Sequence, residues 1–405
     1  MKAAVLIETP RTGAGMDFVK ACKKHGIHPV IFIANIDLQP DWVLEDFYRE
    51  NVDIRQVNSY DIEEVIKQCK IIKNDYDLQA VLSLYEYSTE YAAKAAKLLG
   101  LNTPNNEIIS ILRRKSDFRR YLSEHNLNNV EYQIFNYGDE PFLKDTLDYP
   151  VVVKPVNLTG SAFVRKCTDK NMLLKAIDEI LSIGEYTGQK VHDEILIEEY
   201  IEGIEYSVEV LNGKIISIVQ KYTENFIEIG HDLPANLTDK KKMLIENKVN
   251  QFLKISNYTF GVLHIELKVN DTGVHFIEAN PRVAGGRIPE LIRQVYGIDI
   301  VEEYLLSLLG YKREIYLPST DLFASIRFKV AKKDGVVTDY KKLEINNYPS
   351  IIEYKFYKNL DEKFEINISN KDRVVHAISI ANSVKTNEEN IEQFFSELDI
   401  RGCEF

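Results

Sequence analysis

Short apolar runs alternate with amphipathic stretches through the first hundred residues. AAVLI (3–7), HPVIFIA (28–34) and LQAVLSL (78–84) read as strands. MDFVKACKKHG (16–26), a segment around 61–73 and TEYAAKAAKLLG (89–100) carry helical spacing, the first and last closing on glycine. This alternation predicts a parallel α/β unit over residues 1–104. Across 105–190 the pattern gives a helix at 113–127, strand YPVVVKPV (149–156), a polar loop, strand AFVRK (162–166) and a helix at 170–184. From about 192 antiparallel strands dominate (EILIEEYI, EYSVEVLNG, KIISIVQKY), followed by a helix at 239–255, a hairpin and helices from Ile288 to Gly310, a unit at 191–317. After Leu317-Pro318, strands LFASIRFKVA (322–331) and VVHAISIANS (374–383) and a helix at 387–398 predict a separate small α+β domain, 318–405. The fold class is α/β and α+β multidomain.

The hairpin carries the densest chemistry. GVLHIELKVNDTGVHFIEANPR (261–282) reads as two strands joined by Asn270-Asp271-Thr272-Gly273. Side chains alternate faces along a strand, so Glu278 and Asn280 share one side, as do His264 and Glu266 on the strand beside them. Two carboxylates, an amide oxygen and an imidazole on one face, with Arg282 following, suit Mg²⁺, which keeps few protein ligands and completes its octahedron with water and phosphate oxygens. A solvated hairpin face would show the same alternation, and upstream motifs decide between the two.

Lys154 ends the apolar strand VVVKP ahead of Asn157-Leu158-Thr159-Gly160-Ser161. A lysine at a strand end beside a Gly-containing polar loop can surround phosphate oxygens with an ammonium, hydroxyls and backbone N–H groups, and in isolation reads as well as a surface lysine before an ordinary turn. GxxxxGK[ST] is absent, so this is no Walker A loop. Lys115 lies on or at the start of a helix among Arg113, Arg114, Arg119 and Arg120, most of which read as its solvated face. Ile197–Glu205 (IEEYIEGIE) is a strand running into a turn that can offer backbone groups to an adenine edge, with Glu205 able to accept from ribose hydroxyls; alone it reads equally as an acidic strand-turn-strand. Thr12-Gly13-Ala14-Gly15 lacks the third glycine and the acidic partner of a dinucleotide loop and reads as a plain strand-to-helix turn.

Composition narrows the class. At 405 residues the chain accommodates two to four domains. No apolar run approaches a membrane span, and MKAAVLIETP reads as a first strand rather than a signal peptide. Cys22, Cys69, Cys167 and Cys403 are scattered, which fits reduced thiols and a cytoplasmic location rather than a disulfide framework or zinc site. A net charge of −12 argues against general binding to nucleic acid or anionic membranes.

The succession Lys115, Lys154 with its loop, EEYIEGIE, HIE and EANPR resembles the ATP-grasp superfamily over roughly residues 1–310. The resemblance implies a Rossmann-like pre-ATP-grasp domain (1–104), a two-subdomain ATP-grasp fold with a lid region (105–190) and a central subdomain (191–317), and the small C-terminal domain. It implies that Lys115 and Lys154 neutralise ATP phosphates under a mobile loop containing Thr159, Gly160 and Ser161. Glu198 and the backbone near Glu199 and Ile201 would hold adenine and Glu205 the ribose. Glu266, Glu278 and Asn280 would carry two Mg²⁺ ions, with Mn²⁺ as the alternative, and His264 and Arg282 would lie by the transferred phosphoryl group, with Lys154 completing the catalytic set. The implied reaction is ATP-driven condensation of a carboxylate with an amine through an acylphosphate. Such phosphoryl transfer needs charge neutralisation and positioning rather than a protein nucleophile, and none is legible.

FIEIGHDLPANL (226–237) and ANPRVAGGRIPELIRQVYGID (279–299) resemble segments of the carboxylate–amine ligases that make dipeptides from L-amino acids. By that likeness Glu86, Glu228 and His231 border the substrate, and Arg282 with the Gly285-Gly286 backbone binds the acylphosphate. Arg287 is a candidate for a substrate carboxylate; a helix-capping surface arginine reads as well. The alternatives are an ATP-grasp carboxylating or purine-pathway-type ligase and a non-catalytic ATP-binding regulator. Homodimers are common among such ligases, but no interface is legible in this chain.

Overall fold

The computed structural model describes residues 1–10, 13–39, 41–127, 129–139, 143–144, 146–186, 188–366 and 369–405. Thr12 of the first turn lies outside them. The N-terminal unit contains β1 (Lys2–Ile7), α1 (Ala14–Lys24), β2 (His28–Ile33), α2 (Asp41–Arg49), β3 (Asp53–Gln56), α3 (Ile62–Asp75), β4 (Asp77–Leu82) and α4 (Thr89–Leu98). Its four strands are parallel in the order β3-β2-β1-β4. Alternate residues of β1 feed opposite cores: Ala4 and Leu6 pack on the side of α1, Ala3, Val5 and Ile7 on that of α3 and α4. Burial on both faces explains the continuous apolar runs.

Helices α5 (Asn106–Leu112) and α6 (Lys115–Glu124) replace the single helix expected at 113–127. The lid sheet then gathers β5 (Tyr132–Asn136), β6 (Val151–Pro155), β7 (Arg165–Cys167) and β10 (Glu194–Glu199) in the order β5-β10-β6-β7, with α7 (Lys170–Leu181) packed on β6 and β7 and the short pair β8 (Glu185–Tyr186) and β9 (Gln189–Lys190) beyond it. Two boundaries shift. The segment expected as a strand at 162–166 is mostly turn, because Ser161 and Phe163 take left-handed backbone angles. β10 pairs with β5 and β6, so this strand belongs to the lid sheet and not to the unit expected to begin at 191.

The large sheet has eight antiparallel strands in the order β15-β14-β11-β12-β13-β16-β20-β18. Their ranges are β11 (Ile204–Leu211), β12 (Lys214–Glu224), β13 (Ile227–Leu233), β14 (Val262–Asn270), β15 (Gly273–Asn280), β16 (Phe323–Val330), β18 (Ile351–Phe356) and β20 (Arg373–Ala381). Helices α8 (Asp239–Ile255), α9 (Ile288–Tyr296), α10 (Ile300–Leu308) and α11 (Val384–Leu398) flank it, and β17 (Gly335–Val336) pairs with β19 (Lys363–Phe364) at its margin. The C-terminal part is therefore not separate, since β13 pairs directly with β16. One sheet carries both units.

Candidate active site

The period-two alternation of the central strands sorts their side chains cleanly. Leu263, Ile265 and Leu267 of β14 join Tyr206, Val208 and Val210 of β11 in an apolar core beneath the sheet. The intervening residues face the other way and line up across strands: Glu266 opposite Glu278, His264 opposite Asn280, His264 opposite Glu209, Glu205 opposite Lys221, and Lys221 opposite His231. The hairpin and its shared polar face are as expected from the alternation, but a register shift between Glu266 and Leu267 is what sets Glu266 opposite Glu278 rather than Ile277. The result is a polar row on one face of the sheet, with Glu209, Lys221, His231, His264 and Asn280 buried and Glu205, Glu266 and Glu278 partly exposed.

At one end of this row, Asn280 Nδ2 donates to Glu278 Oε1 at 2.8 Å, leaving the amide oxygen available. Lys115 Nζ lies 3.2 Å from Glu278 Oε2. Burial works against the Glu278 charge, but Lys115, Asn280, Lys154 and Arg282 outweigh it and hold the carboxyl well below its ordinary range. Burial likewise opposes the Glu266 charge, and Lys221 at 2.8 Å more than offsets it. Among the described residues no three His, Cys, Asp or Glu side chains form a self-contained metal cage. Two ionised carboxylates plus an amide oxygen instead fit a hard cation that brings its other ligands as water and phosphate.

Lys154 and Glu198 are both buried and 2.5 Å apart, and Arg119 Nε reaches the same carboxylate at 2.6 Å. Burial pulls the Lys154 ammonium below its usual value despite Glu198. The Glu198 side chain is thus turned to these cations rather than to the strand edge. Glu199 accepts from the Glu131 N–H at 3.2 Å, and the Ile201 carbonyl accepts from Lys268 at 3.1 Å. The Thr159-Gly160-Ser161 turn follows the buried Leu158, whose carbonyl takes the Lys115 ammonium at 2.7 Å. Gly160 and Ser161 both have positive φ, 67° and 59°.

Lys221 sits at the middle of the row, 2.9 Å from Glu205, 3.0 Å from Glu228 and 2.8 Å from Glu266. Burial disfavours its charge, but three carboxylates raise its pKa well above the usual value. Glu228 also takes Arg373 of β20 at 2.6 Å, which draws the C-terminal unit into the site. His264 bridges Glu209 (Nδ1, 2.8 Å) and Glu266 (Nε2, 3.0 Å); burial opposes its protonation, yet the two carboxylates lift its pKa to about 9. His231 is the opposite case. It is 0% exposed, neither ring nitrogen has a hydrogen-bond partner, and burial pushes its pKa down to about 3. Its Nε2 presses on Gly286, where a Cβ would come within 2.4 Å, so residue 286 must be glycine for the turn to close over the imidazole.

Arg282, beyond the end of β15, reaches Glu86 of the N-terminal unit at 2.7 Å, and Arg113 reaches the other oxygen of Glu86 at 2.8 Å. Gly285 has open space where a side chain would be. Arg287 caps α9 in position but not by hydrogen bond, and its guanidinium pairs with Glu353 of β18. Arg113 and Arg119 correct the expectation of a solvated helix face. Arg119 is buried and Arg113 largely covered, each against a carboxylate, with Arg119 sharing a face with Phe118 and Leu122 at helical spacing, a signal present in the sequence. Lys221, Glu209, Arg373 and Glu353 were not anticipated.

Residues 147–290 match the family model described as ATP-grasp domain. This part of the chain is an ATP-grasp domain, and the chain as a whole has the ATP-grasp fold, as the resemblance in Lys115, Lys154, EEYIEGIE, HIE and EANPR implied. An L-amino acid ligase from Bacillus licheniformis superposes with a TM-score of 0.80 at 18% identity, covering 99% of this chain and 98% of that one. The uncharacterized protein y4rH of Sinorhizobium fredii is 24% identical over 403 residues, 98% of this chain and 82% of its own length. Dapdiamide A synthase of Enterobacter agglomerans is 25% identical over 261 residues, 60% of this chain, which spans only 58% of that protein. No helix among the described residues is long and apolar enough to cross a membrane.

Proposed function

We propose that this chain is an ATP-dependent carboxylate–amine ligase, ADP-forming, that acts on small molecules, with an amino acid as the carboxylate and a second amino acid as the amine. The observation that carries this reading is the register of the hairpin: Glu266 opposite Glu278 and His264 opposite Asn280, with Lys115 at 3.2 Å from Glu278. A lysine, two carboxylates and an amide on one sheet face are what neutralising a metal-bound polyphosphate would call for, and this supports the reading. Glu266, Glu278 and Asn280 would hold Mg²⁺, which when bound supplies charge neutralisation and orientation of the phosphates.

In this reading the substrate carboxylate oxygen attacks the γ-phosphorus of ATP, the bond to the β-phosphate oxygen breaks, and ADP leaves. Lys115 and Lys154 hold the phosphates, and Arg282, aimed by Glu86, holds the resulting acylphosphate. The amine then adds to the acyl carbon, the bond to phosphate breaks with its electron pair, and the nitrogen gives up one proton to the departing phosphate. The Gly285-Gly286 backbone and Glu228 border this second step. The likeness to an L-amino acid ligase structure over the full chain supports the substrate class. Four free cysteines among the described residues and the absence of a spanning helix accord with a cytoplasmic enzyme.

The test is a matrix of amino acids, singly and in pairs, with Mg-ATP, following phosphate release and product mass. Phosphate and a condensed product appearing together with particular pairs are expected. ATP turnover that needs bicarbonate or a nucleotide intermediate would transfer the chain to another branch of the superfamily.

A further inference from the structure

Arg287 stands where three parts of the chain meet. It follows Gly285 and Gly286, adopts a left-handed backbone angle (φ 63°) that non-glycine residues keep only when the surroundings enforce it, and makes no cap hydrogen bond to its helix. Gly13 of the N-terminal unit packs against its guanidinium, where a Cβ would lie 2.7 Å from Nη1. From the third side comes Glu353. Its strand β18 is the edge of the large sheet, and its pairing with β20 slips between Ile351 and Glu353, an irregularity that re-aims side chains. One Glu353 oxygen takes Arg287 and the other takes His376 Nε2 at 2.8 Å.

Two features separate this pair from the sealed ion pair of the lid. Arg119 and Glu198 are sealed, with side chains 1% and 4% exposed, whereas Arg287 and Glu353 are 17% and 28% exposed. Open space lies next to them at Gly285. The pair is partly open to solvent.

We propose that Glu353 is an internal stand-in for the carboxylate of the amine substrate on Arg287, and so selects amines that carry one. This deepens the ligase reading and rests on it. A substrate carboxylate that enters at Arg287 replaces Glu353 like for like, preserving the charge-assisted contact while Glu353 keeps His376. An amine without a carboxylate leaves Glu353 in place and lacks its anchor. Discrimination comes from the competing internal carboxylate as much as from the attracting arginine.

The experiment is calorimetric titration of the full chain with acetate, a bare carboxylate, alongside phosphate release with amino acids and their amides as amine components. Glu353→Gln should tighten acetate binding about tenfold by removing the competitor, and Arg287→Met in that background should abolish the gain. In turnover, Glu353→Gln should lower the KM of free amino acids and leave that of the amides unchanged. Equal acetate affinity in wild type and Glu353→Gln, with a lowered Tm, would make the pair a structural clip and overturn the proposal. Absence of turnover with every amino acid pair would sink the ligase reading instead, and the acetate titration tells the two failures apart.

Discussion

Glu86 of the N-terminal unit holds Arg282 at 2.7 Å although the two are 196 residues apart in the chain. Its second oxygen takes Arg113, so one buried carboxylate neutralises two guanidinium groups. Glu86→Ala would leave both without a counterion and should cost about 3–5 kcal/mol in stability. Denaturant unfolding should show that loss, with turnover falling because Arg282 is no longer aimed. Wild-type stability in this variant would mean that the arginines find other partners.

Glu278→Gln removes charge where the hairpin faces Lys115. The amide keeps the shape and the Asn280 contact, so circular dichroism should match wild type. Turnover at saturating Mg-ATP should fall at least about a hundredfold, the scale of losing electrostatic stabilisation in a preorganised site. Wild-type turnover would remove Glu278 from the site.

Lys154→Ala should weaken ATP binding about ten- to a hundredfold, the loss of one charge-assisted contact. Arg119 remains on Glu198 and should keep the strand in place. Calorimetry with a non-hydrolysable ATP analogue checks this; unchanged affinity would assign Lys154 to the ion pair alone.

His231 makes stability fall in acid. Its folded pKa is about 3 against 6.5 for a free histidine, so the unfolded chain binds the extra proton across that interval. Stability from this residue is intact above pH 6.5 and declines as pH falls toward 3, by up to about 1.4 kcal/mol per pH unit. Glu353, whose burial is outweighed by His376 and Arg287 so that its pKa drops to about 2, adds acid sensitivity only below its unfolded value of 4.5. The urea midpoint of His231→Gln should therefore vary less than that of wild type between pH 6.5 and 5. Parallel profiles would show that His231 is protonated in the folded chain.

What the sequence disclosed and what it hid divide along physical lines. The hairpin and the shared faces of Glu278 with Asn280 and of His264 with Glu266 were legible, because strand alternation and an Asn-Asp-Thr-Gly turn are local signals. The register was not: a shift between Glu266 and Leu267 sets Glu266 opposite Glu278, where an unbroken ladder from that turn would set it opposite Ile277. Lys221 was not, since a lone lysine in KIISIVQKY looks like a solvated strand position. Its burial depends on carboxylates from β11, β13 and β14, which only the sheet order brings together. The edge strand β3 (DIRQ) has four residues and one apolar position, too few to read as a pattern. The joining of β13 to β16, with Arg327 beside Gly230, pairs segments nearly a hundred residues apart, and no local pattern encodes it. Arg119 is different: its spacing with Phe118 and Leu122 was visible, and the surrounding arginines masked it.

The central claim is that the γ-phosphoryl group of ATP passes to a substrate carboxylate. The most direct measurement uses an amino acid labelled with ¹⁸O in that carboxylate, turned over with ATP and its amine partner, with mass analysis of the released phosphate. Transfer through an acylphosphate predicts one ¹⁸O in each phosphate and ADP as the nucleotide product. Unlabelled phosphate, or label appearing in AMP, would contradict it.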